Sequence, residues 1–308
     1  VAEALNLADD RRPARRAEAL RLLDRLEREA PFPGAPRVGV TGAPGAGKSM
    51  LLDALARGLR ARGETVGIVA VDPSSRETGG ALLGDRIRVR SAGHDAGIFL
   101  RSMAARERLG GLADATRAGV VILAAVFDRV FVETVGVGQS EVEVSALVDT
   151  LLYVANPGTG DALQFMKAGL LELPDLFVVN KSDQGAPARR TAQELETSLA
   201  LAARADPGWT PPVLLASARD GAGIAEVLCA LERHREHLAA TGGLGTRRER
   251  GRVLFALDAL ERRYGSYGLA RLGGREAVRT RLAERPGASS FALAALLGGE
   301  IEDALRKG

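Results

Sequence analysis

The sequence predicts an α/β fold: a mostly parallel sheet flanked by helices, with helical extensions at the N- and C-terminal ends. Three observations predict it. Short apolar runs alternate with helical patterns through the middle of the chain. Those runs are apolar at nearly every residue, the pattern of strands covered on both faces, as in a parallel sheet. A glycine-rich turn joins the first run to a leucine-rich helix.

Taken in order, residues 12–30 read as an amphipathic helix, with Ala19, Leu22, Leu23 and Leu26 at helical spacing among arginines and glutamates. PFPGAP (31–36) stops it and links it to the sheet. Strands are expected at VGV (38–40), VGIVAVD (66–72), RVFVETVG (129–136), TLLYVAN (150–156), LFVVNKSD (176–183) and VLLASA (213–218). Helical patterns separate them at 48–62, 106–125, 140–148, 160–172, 187–204 and 223–238. TGGLGTRRERG (241–251) reads as a hinge. Beyond it come a charged helix (252–264), the glycine-rich YGSYGLARLGG (264–274) and two shorter helical patterns. The chain therefore divides into an N-terminal extension (1–33), a central domain (34–240) and a C-terminal helical arm (241–308) too small to be a second catalytic domain. No short-period repeat is present.

Composition narrows the functional classes. A hydrophobic fraction of 46% supplies a full core, and an aromatic fraction of 4% makes that core aliphatic. With 42 basic against 39 acidic residues, the net charge of +3 gives no case for a nucleic-acid partner. A single cysteine, Cys229, excludes an internal disulfide and a cysteine metal cluster. Of the three histidines, His94 stands alone, while His234 and His237 lie at i and i+3 in RHREH, a pair that does not fill a tetrahedral metal site. No run approaches the length of a membrane span and no signal peptide opens the sequence, so a reduced, soluble, cytoplasmic protein with no membrane partner is expected. The start at Val1 suggests an N-terminal trim.

The glycine-rich turn carries the first chemistry. Gly42, Ala43, Pro44, Gly45, Ala46, Gly47, Lys48 and Ser49, with Met50 following, match the phosphate-loop pattern G-x-x-x-x-G-K-[ST] between a strand and a helix. Glycines let backbone N–H groups turn inward around phosphate, and the helix start adds its positive dipole end. Lys48 is placed to reach the outer phosphates and the Ser49 hydroxyl to ligate Mg²⁺.

The base is read from a second motif. Asn180, Lys181 and Asp183 form NKSD after an apolar strand. The carboxylate of Asp183 accepts from the ring N–H and exocyclic amine of guanine, a pattern adenine does not present. Ser217, Ala218 and Arg219 end the next strand, placed to meet the guanine carbonyl through backbone. NKxD alone is ordinary turn chemistry. NKxD followed by SA at successive strand ends, downstream of a phosphate loop, selects GTP and GDP over ATP.

On the hydrolytic side, ETVG (133–136) follows a strand where a typical GTPase has Asp-x-x-Gly. Glu133 is expected to bind Mg²⁺ directly or through water, and the Gly136 N–H to meet the γ-phosphate. Gln139 or Glu141 is a candidate for ordering a water. Asp72 and Asp85 are carboxylates near another strand end, suited either to Mg²⁺ or to water orientation, or else to a turn and a surface ion pair.

Taken together, TGAPGAGKS, VAVDPSS, GGALLGDRIR, FLRSMAARERLGGLA, FVETVGVGQSE, GDALQFMKAGLLELPD and NKSD resemble the MeaB/ArgK/MMAA GTPases, chaperones of cobalamin-dependent acyl-CoA mutases. The resemblance runs in order from residue 38 to 183 and more loosely over 1–240. It implies a SIMIBI-type GTPase working as a homodimer, with the C-terminal arm as the dimerisation element. It also implies binding to methylmalonyl-CoA mutase or a paralogue, such as one for isobutyryl-CoA or 2-hydroxyisobutyryl-CoA. There GTP hydrolysis gates adenosylcobalamin delivery. By the same resemblance, Asp72, Asp85 and Glu133 form an acidic cluster around the metal and attacking water, and Gln164 and Lys167 signal to the mutase. Three features depart from the family: Glu107 after Arg106, LQFMK with Phe165 and Met166 in place of LQGIK, and YGSYGLARLGG in the arm.

Other classes fit less well. A metal-insertion GTPase calls for Cys and His near the phosphate loop or a His-rich tail, which the sequence lacks. An ATP-dependent transport kinase conflicts with NKSD. A nucleotide-bound interaction module with negligible turnover conflicts with the intact Lys48, Ser49 and acidic set.

Overall fold

Strand β1 (Arg37–Thr41) lies at the centre of a seven-stranded, all-parallel sheet whose other members are β2 (Val66–Pro73), β3 (Ile98–Ala105), β4 (Arg129–Glu133), β5 (Thr150–Ala155), β6 (Leu176–Val179) and β7 (Val213–Leu215). The order is β3-β2-β4-β1-β5-β6-β7. The computed structural model describes residues 1–10, 12–29, 34–73, 89–105, 112–134, 143–158, 171–201, 206 and 208–306, with backbone alone at 72–73, 90, 92, 104–105 and 112–114.

Six strands fall where continuous apolar runs predict them. The seventh, β3, does not announce itself. It carries Arg101 and Ser102 midway and occupies a sheet edge, where residues 99–102 are only partly covered. Four expected strands also run too far: β4 stops at Glu133, β5 at Ala155, β6 at Val179 and β7 at Leu215. Past β6, Lys181 takes a left-handed backbone (φ 58°) and a 3₁₀ turn covers Ser182–Gln184.

The helices are α1 (Ala2–Asp9), α2 (Pro13–Glu29), α3 (Lys48–Arg60), α4 (Leu112–Ala124), α5 (Ala186–Leu201), α6 (Ile224–Thr241), α7 (Gly243–Ala270), α8 (Arg275–Ala283) and α9 (Ser290–Arg306). Of the helices expected at 140–148 and 160–172, residues 140–142 and 160–170 lie outside the described residues.

Strand side chains alternate between two buried faces. Val38, Val40, Ile68, Phe131, Leu152 and Val154 pack with Leu51, Leu52 and Leu55 of α3 and Val227, Leu228 and Leu231 of α6. Val69, Val130, Val132 and Leu151 face Val120 and Leu123 of α4. Tyr153 and Phe177 face Ala188, Ala192 and Leu195 of α5. A fully buried Leu or Val side chain stabilises by about 1.5–3 kcal/mol, against about 0–1 kcal/mol for an exposed ion pair, so these layers and not the many surface arginine pairs hold the sheet.

The expected hinge at 241–251 is helical instead. Gly242 (φ 71°) caps α6 and starts α7 directly, so the break between the two helices is one residue wide. Gly251 then packs so closely that a Cβ there would lie 2.0 Å from the Ala146 carbonyl oxygen. The glycines serve a cap and a close approach rather than a flexible link. A backbone break inside α7 does occur later, at Gly265 (φ 65°), within the glycine-rich segment.

The helices at the chain ends share a core. Leu5 of α1, Leu23 of α2, Ala118, Val121 and Ile122 of α4, Phe255 of α7 and Phe291 of α9 form one cluster. Arg117 of α4 pairs with Glu27 of α2 at 2.8 Å, donates to the Ser290 hydroxyl at 2.8 Å and lies 4.8 Å above the Phe255 ring. Glu27 in turn accepts from the Ser290 N–H and hydroxyl, both at 2.7 Å. Helices α7, α8 and α9 have a further core of their own built on Val253, Leu257, Leu260, Val278, Leu282 and Leu297.

Candidate functional site

The loop between β1 and α3 is shaped by backbone that only glycine adopts easily. Gly42, Gly45 and Gly47 have φ of 138°, 81° and 85°. A Cβ on Gly42 would stand 2.1 Å from the Val154 carbonyl oxygen, so the loop approaches β5 too closely for any side chain. A Cβ on Gly47 would stand 2.5 Å from Asn180 Nδ2, where the loop meets the turn after β6.

Lys48 and Ser49 open α3 and are both buried. Lys48 Nζ donates to the Gly42 carbonyl at 2.7 Å and to the Ala43 carbonyl at 3.2 Å. The Ser49 hydroxyl donates to Glu133 Oε1 at 2.6 Å. Glu133 is carried to that position by β4, whose end is tied to β1 twice. The Thr134 N–H donates to the Val40 carbonyl at 3.0 Å, and its hydroxyl to the Thr41 hydroxyl at 3.1 Å. Ala70 pairs with Glu133 in the sheet register, so the backbone of Asp72 lies two residues beyond, at the same end of β2. Met50 follows in the first turn of α3 and is about half exposed (51%).

The second motif closes on the first. Asn180 Nδ2 donates to the Ala46 carbonyl at 2.9 Å, while its Oδ1 accepts from the Ala218 N–H at 3.2 Å. Lys181 Nζ donates to the Gly45 carbonyl at 2.7 Å and to Asn156 Oδ1 at 2.9 Å. Asp183 Oδ1 accepts from the Ser217 hydroxyl at 3.0 Å, and Arg219 lies 3.4 Å from Asp183 Oδ2. Thus the ends of β1, β5, β6 and β7 meet in one place, with a carboxylate at one side and the phosphate-loop pattern at the other. Asn156 escapes a reading by motif, since it is a lone amide at the end of an apolar strand.

Asp85, Gly136, Gln139, Glu141, Gln164 and Lys167 lie outside the described residues, as do Glu107, Phe165 and Met166. The two histidines of RHREH are at the opposite end of the sheet. His234 Nδ1 shares a hydrogen bond with the Thr150 hydroxyl (2.8 Å) and His237 Nε2 pairs with Asp206 (2.9 Å), with Trp209 against both rings. Among the described residues no group of three or more His, Cys, Asp or Glu side chains is arranged to hold a metal ion. No helix among them is long and apolar enough to cross a membrane.

An all-parallel sheet flanked by helices, with this loop between central strand and helix and the Asn180–Asp183 turn bonded to it, defines a P-loop GTPase. The sequence matches the family described as "Methylmalonyl Co-A mutase-associated GTPase MeaB" over residues 1–263, and the chain belongs to that family. It is 48% identical over 219 residues to a putative GTPase of Pyrococcus abyssi, a match covering 69% of this chain and 66% of that one. It is 39% identical over 251 residues to the GTPase ArgK of Escherichia coli (79% and 74%). With the mouse protein named methylmalonic aciduria type A homolog, mitochondrial, it shares 36% identity over 260 residues (81% and 63%). A solved structure titled as an LAO/AO transport system kinase superposes with a TM-score of 0.73 at 29% identity, covering 98% of this chain and 92% of that one. The protein is accordingly a GTPase.

Proposed function

We propose that this GTPase is a chaperone of an adenosylcobalamin-dependent acyl-CoA mutase, methylmalonyl-CoA mutase or a paralogue, whose cofactor loading it gates by GTP hydrolysis. The observation that carries the reading is the family match over residues 1–263, a family described by its association with that mutase.

The residues take the following parts. The loop from Gly42 through Met50 wraps the phosphates. Lys48 neutralises the outer ones, and it reaches them by leaving the loop carbonyls it meets at 2.7 and 3.2 Å. Ser49 and Glu133, hard oxygen donors in buried contact at 2.6 Å, suit Mg²⁺ and would hold it beside the phosphates. When bound, the ion offsets charge developing on the phosphate oxygens. Asp72 and Asp85 complete the acidic group, and the Gly136 N–H meets the γ-phosphate. Asp183 reads the guanine edge, held by Ser217 at 3.0 Å, while Asn180 and Lys181 lock that reader to the phosphate loop. Ala218 and Arg219 border the base. Gln164 and Lys167 relay the nucleotide state to the mutase, and the arm at 241–308 makes a homodimer.

The test is hydrolysis of GTP and of ATP in Mg²⁺, with and without candidate cobalamin mutases. Turnover of GTP accelerated by one mutase supports the chaperone role and names the partner. Turnover indifferent to every mutase refutes it and leaves the GTPase. A preference for ATP overturns the guanine-reading assignment.

A further inference from the structure

We infer that Asn156 is a positioning residue for nucleotide retention: it holds the Lys181 ammonium against the phosphate loop, and so fixes the guanine-reading turn to that loop. The inference rests on the guanine-nucleotide reading of the site and adds to it a residue that belongs to neither motif.

Lys181 adopts a left-handed backbone (φ 58°), alone among the described non-glycine residues. Such a conformation persists in a side-chain-bearing residue only when its surroundings hold it. Two acceptors meet its ammonium, the Gly45 carbonyl at 2.7 Å and Asn156 Oδ1 at 2.9 Å. The first belongs to the phosphate loop. At Gly45 (φ 81°) a Cβ would meet no atom within 4 Å, so packing does not hold that side of the loop. The ammonium tie restrains it at that point, beside the Asn180 amide on the neighbouring Ala46 carbonyl at 2.9 Å.

Asn156 is delivered by the sheet itself. It follows the last residue of β5, whose Ala155 pairs with Val179 of β6, and the Ala155 carbonyl accepts from the Asn180 N–H at 3.1 Å. The amide is therefore placed beside the NKSD turn by the strand pairing itself. A lysine side chain has much rotamer freedom to lose, and one carbonyl partner fixes it poorly. A second acceptor at a different angle orients the ammonium. Because that acceptor is a neutral amide, it does so without cancelling the positive charge beside the phosphates.

The experiment is release of the fluorescent analogue mant-GDP from the full chain, followed by stopped flow, for wild type, Asn156→Leu and Asn156→Asp. Leucine removes the acceptor at similar size; aspartate keeps an oxygen in its place. Asn156→Leu is expected to release mant-GDP about 10-fold faster, the loss of one hydrogen bond to a charged group, with kcat at saturating GTP little changed and KM raised. Asn156→Asp is expected to release mant-GDP more slowly than Asn156→Leu but faster than wild type, because an acceptor to the ammonium remains while its charge offsets that of the ammonium. In a Lys181→Met background, Asn156→Leu is expected to add nothing further, since the residue acts through the ammonium. Wild-type release from Asn156→Leu overturns the inference, as does equal impairment of the Leu and Asp variants or full additivity with Lys181→Met. Failure of the wild-type protein to retain mant-GDP at all fails the reading of the site itself, and is read from the same traces before any variant is compared.

Discussion

At the carboxyl ends of β1, β5 and β6, lysines donate to carbonyl and amide oxygens; at the amino ends of β5 and β6, arginines close on carboxylates. Lys181 meets the Gly45 carbonyl and Asn156 Oδ1 at 2.7 and 2.9 Å. Arg247 of α7 grips both oxygens of Asp175 at 2.8 Å, and Arg248 grips Asp149 at 2.8 and 2.7 Å. A neutral oxygen orients a cation and leaves its charge to act on an incoming anion. A buried carboxylate cancels that charge and commits both groups to structure. One end of the sheet is thus built for exchange of partners and the other for permanence. Variants at the two ends should separate activity from stability.

The largest effect is expected at the exchangeable end. Lys48→Ala should lower GTP turnover by on the order of 100-fold or more, as loss of a donor to developing phosphate charge. Lys48 donates to two carbonyls of its own loop, so the melting temperature should move far less than turnover does, by about 3 °C. Undiminished turnover in that variant removes the loop from the chemistry. Next comes Asp183→Ala, measured by competition between GTP and ATP. The preference for GTP should fall by on the order of 100-fold or more, because a site built to hydrogen-bond one base discriminates through those bonds. Phosphate affinity, judged with inorganic pyrophosphate, should fall less. Equal discrimination in the variant would move the base-reading role elsewhere.

That end of the sheet was also the more readable from sequence, for a physical reason. Gly42, Lys48 and Ser49 are near neighbours in the chain, as are Asn180, Lys181 and Asp183, because a strand end and a tight turn present contiguous residues to a ligand. The permanent end is made by residues about a hundred positions apart, such as Asp149 with Arg248. Periodicity carries no trace of such a pairing, and the glycines around the two arginines read as a hinge. Edge strand β3 was missed because half-covered residues such as Arg101 and Ser102 interrupt its apolar run. Helix α1 was missed because eight residues with Leu5 as the buried one are too few to show a helical period. Asn156 lay in a predicted strand, and its value comes only from the lysine that the fold brings to it.

At the permanent end, Arg247→Ala should lower stability to chemical denaturation by about 2–4 kcal/mol, less than the largest buried-pair losses because Arg247 is itself 29% exposed. Turnover per folded molecule should stay at the wild-type value. The acid limb adds a second reading. Burial raises the Asp175 pKa, but the contacts from His234 and Arg247 outweigh it and hold the carboxyl below its ordinary value. A carboxylate with a depressed folded pKa contributes stability that is present above the unfolded value, about 3.9 for aspartate, and lost as pH falls through the folded value. Removing Arg247 raises the folded pKa, so urea unfolding between neutral pH and about pH 3 should show the acid loss beginning at a higher pH in the variant. Identical acid limbs would mean that Arg247 is not what holds Asp175 ionised.

The smallest effect is the control that gives the others their meaning. Arg25 and Glu29 form an i,i+4 pair on α2 at 2.9 Å, close to the Arg247–Asp175 distance of 2.8 Å, but with side chains 71% and 61% exposed. If distance alone set the strength of an ion pair, Arg25→Ala and Arg247→Ala would cost the same. Water screens the exposed pair and solvates whichever partner is left behind, so Arg25→Ala should cost less than about 0.5 kcal/mol, and high salt should erase even that. The buried aspartate has no such recourse: stripped of its arginine it keeps its desolvation penalty with fewer contacts to offset it. A loss of 2 kcal/mol or more from Arg25→Ala, measured in the same denaturant series, would show that helix α2 depends on its surface charges and would remove burial as the reason for the strength of the arginine clamps.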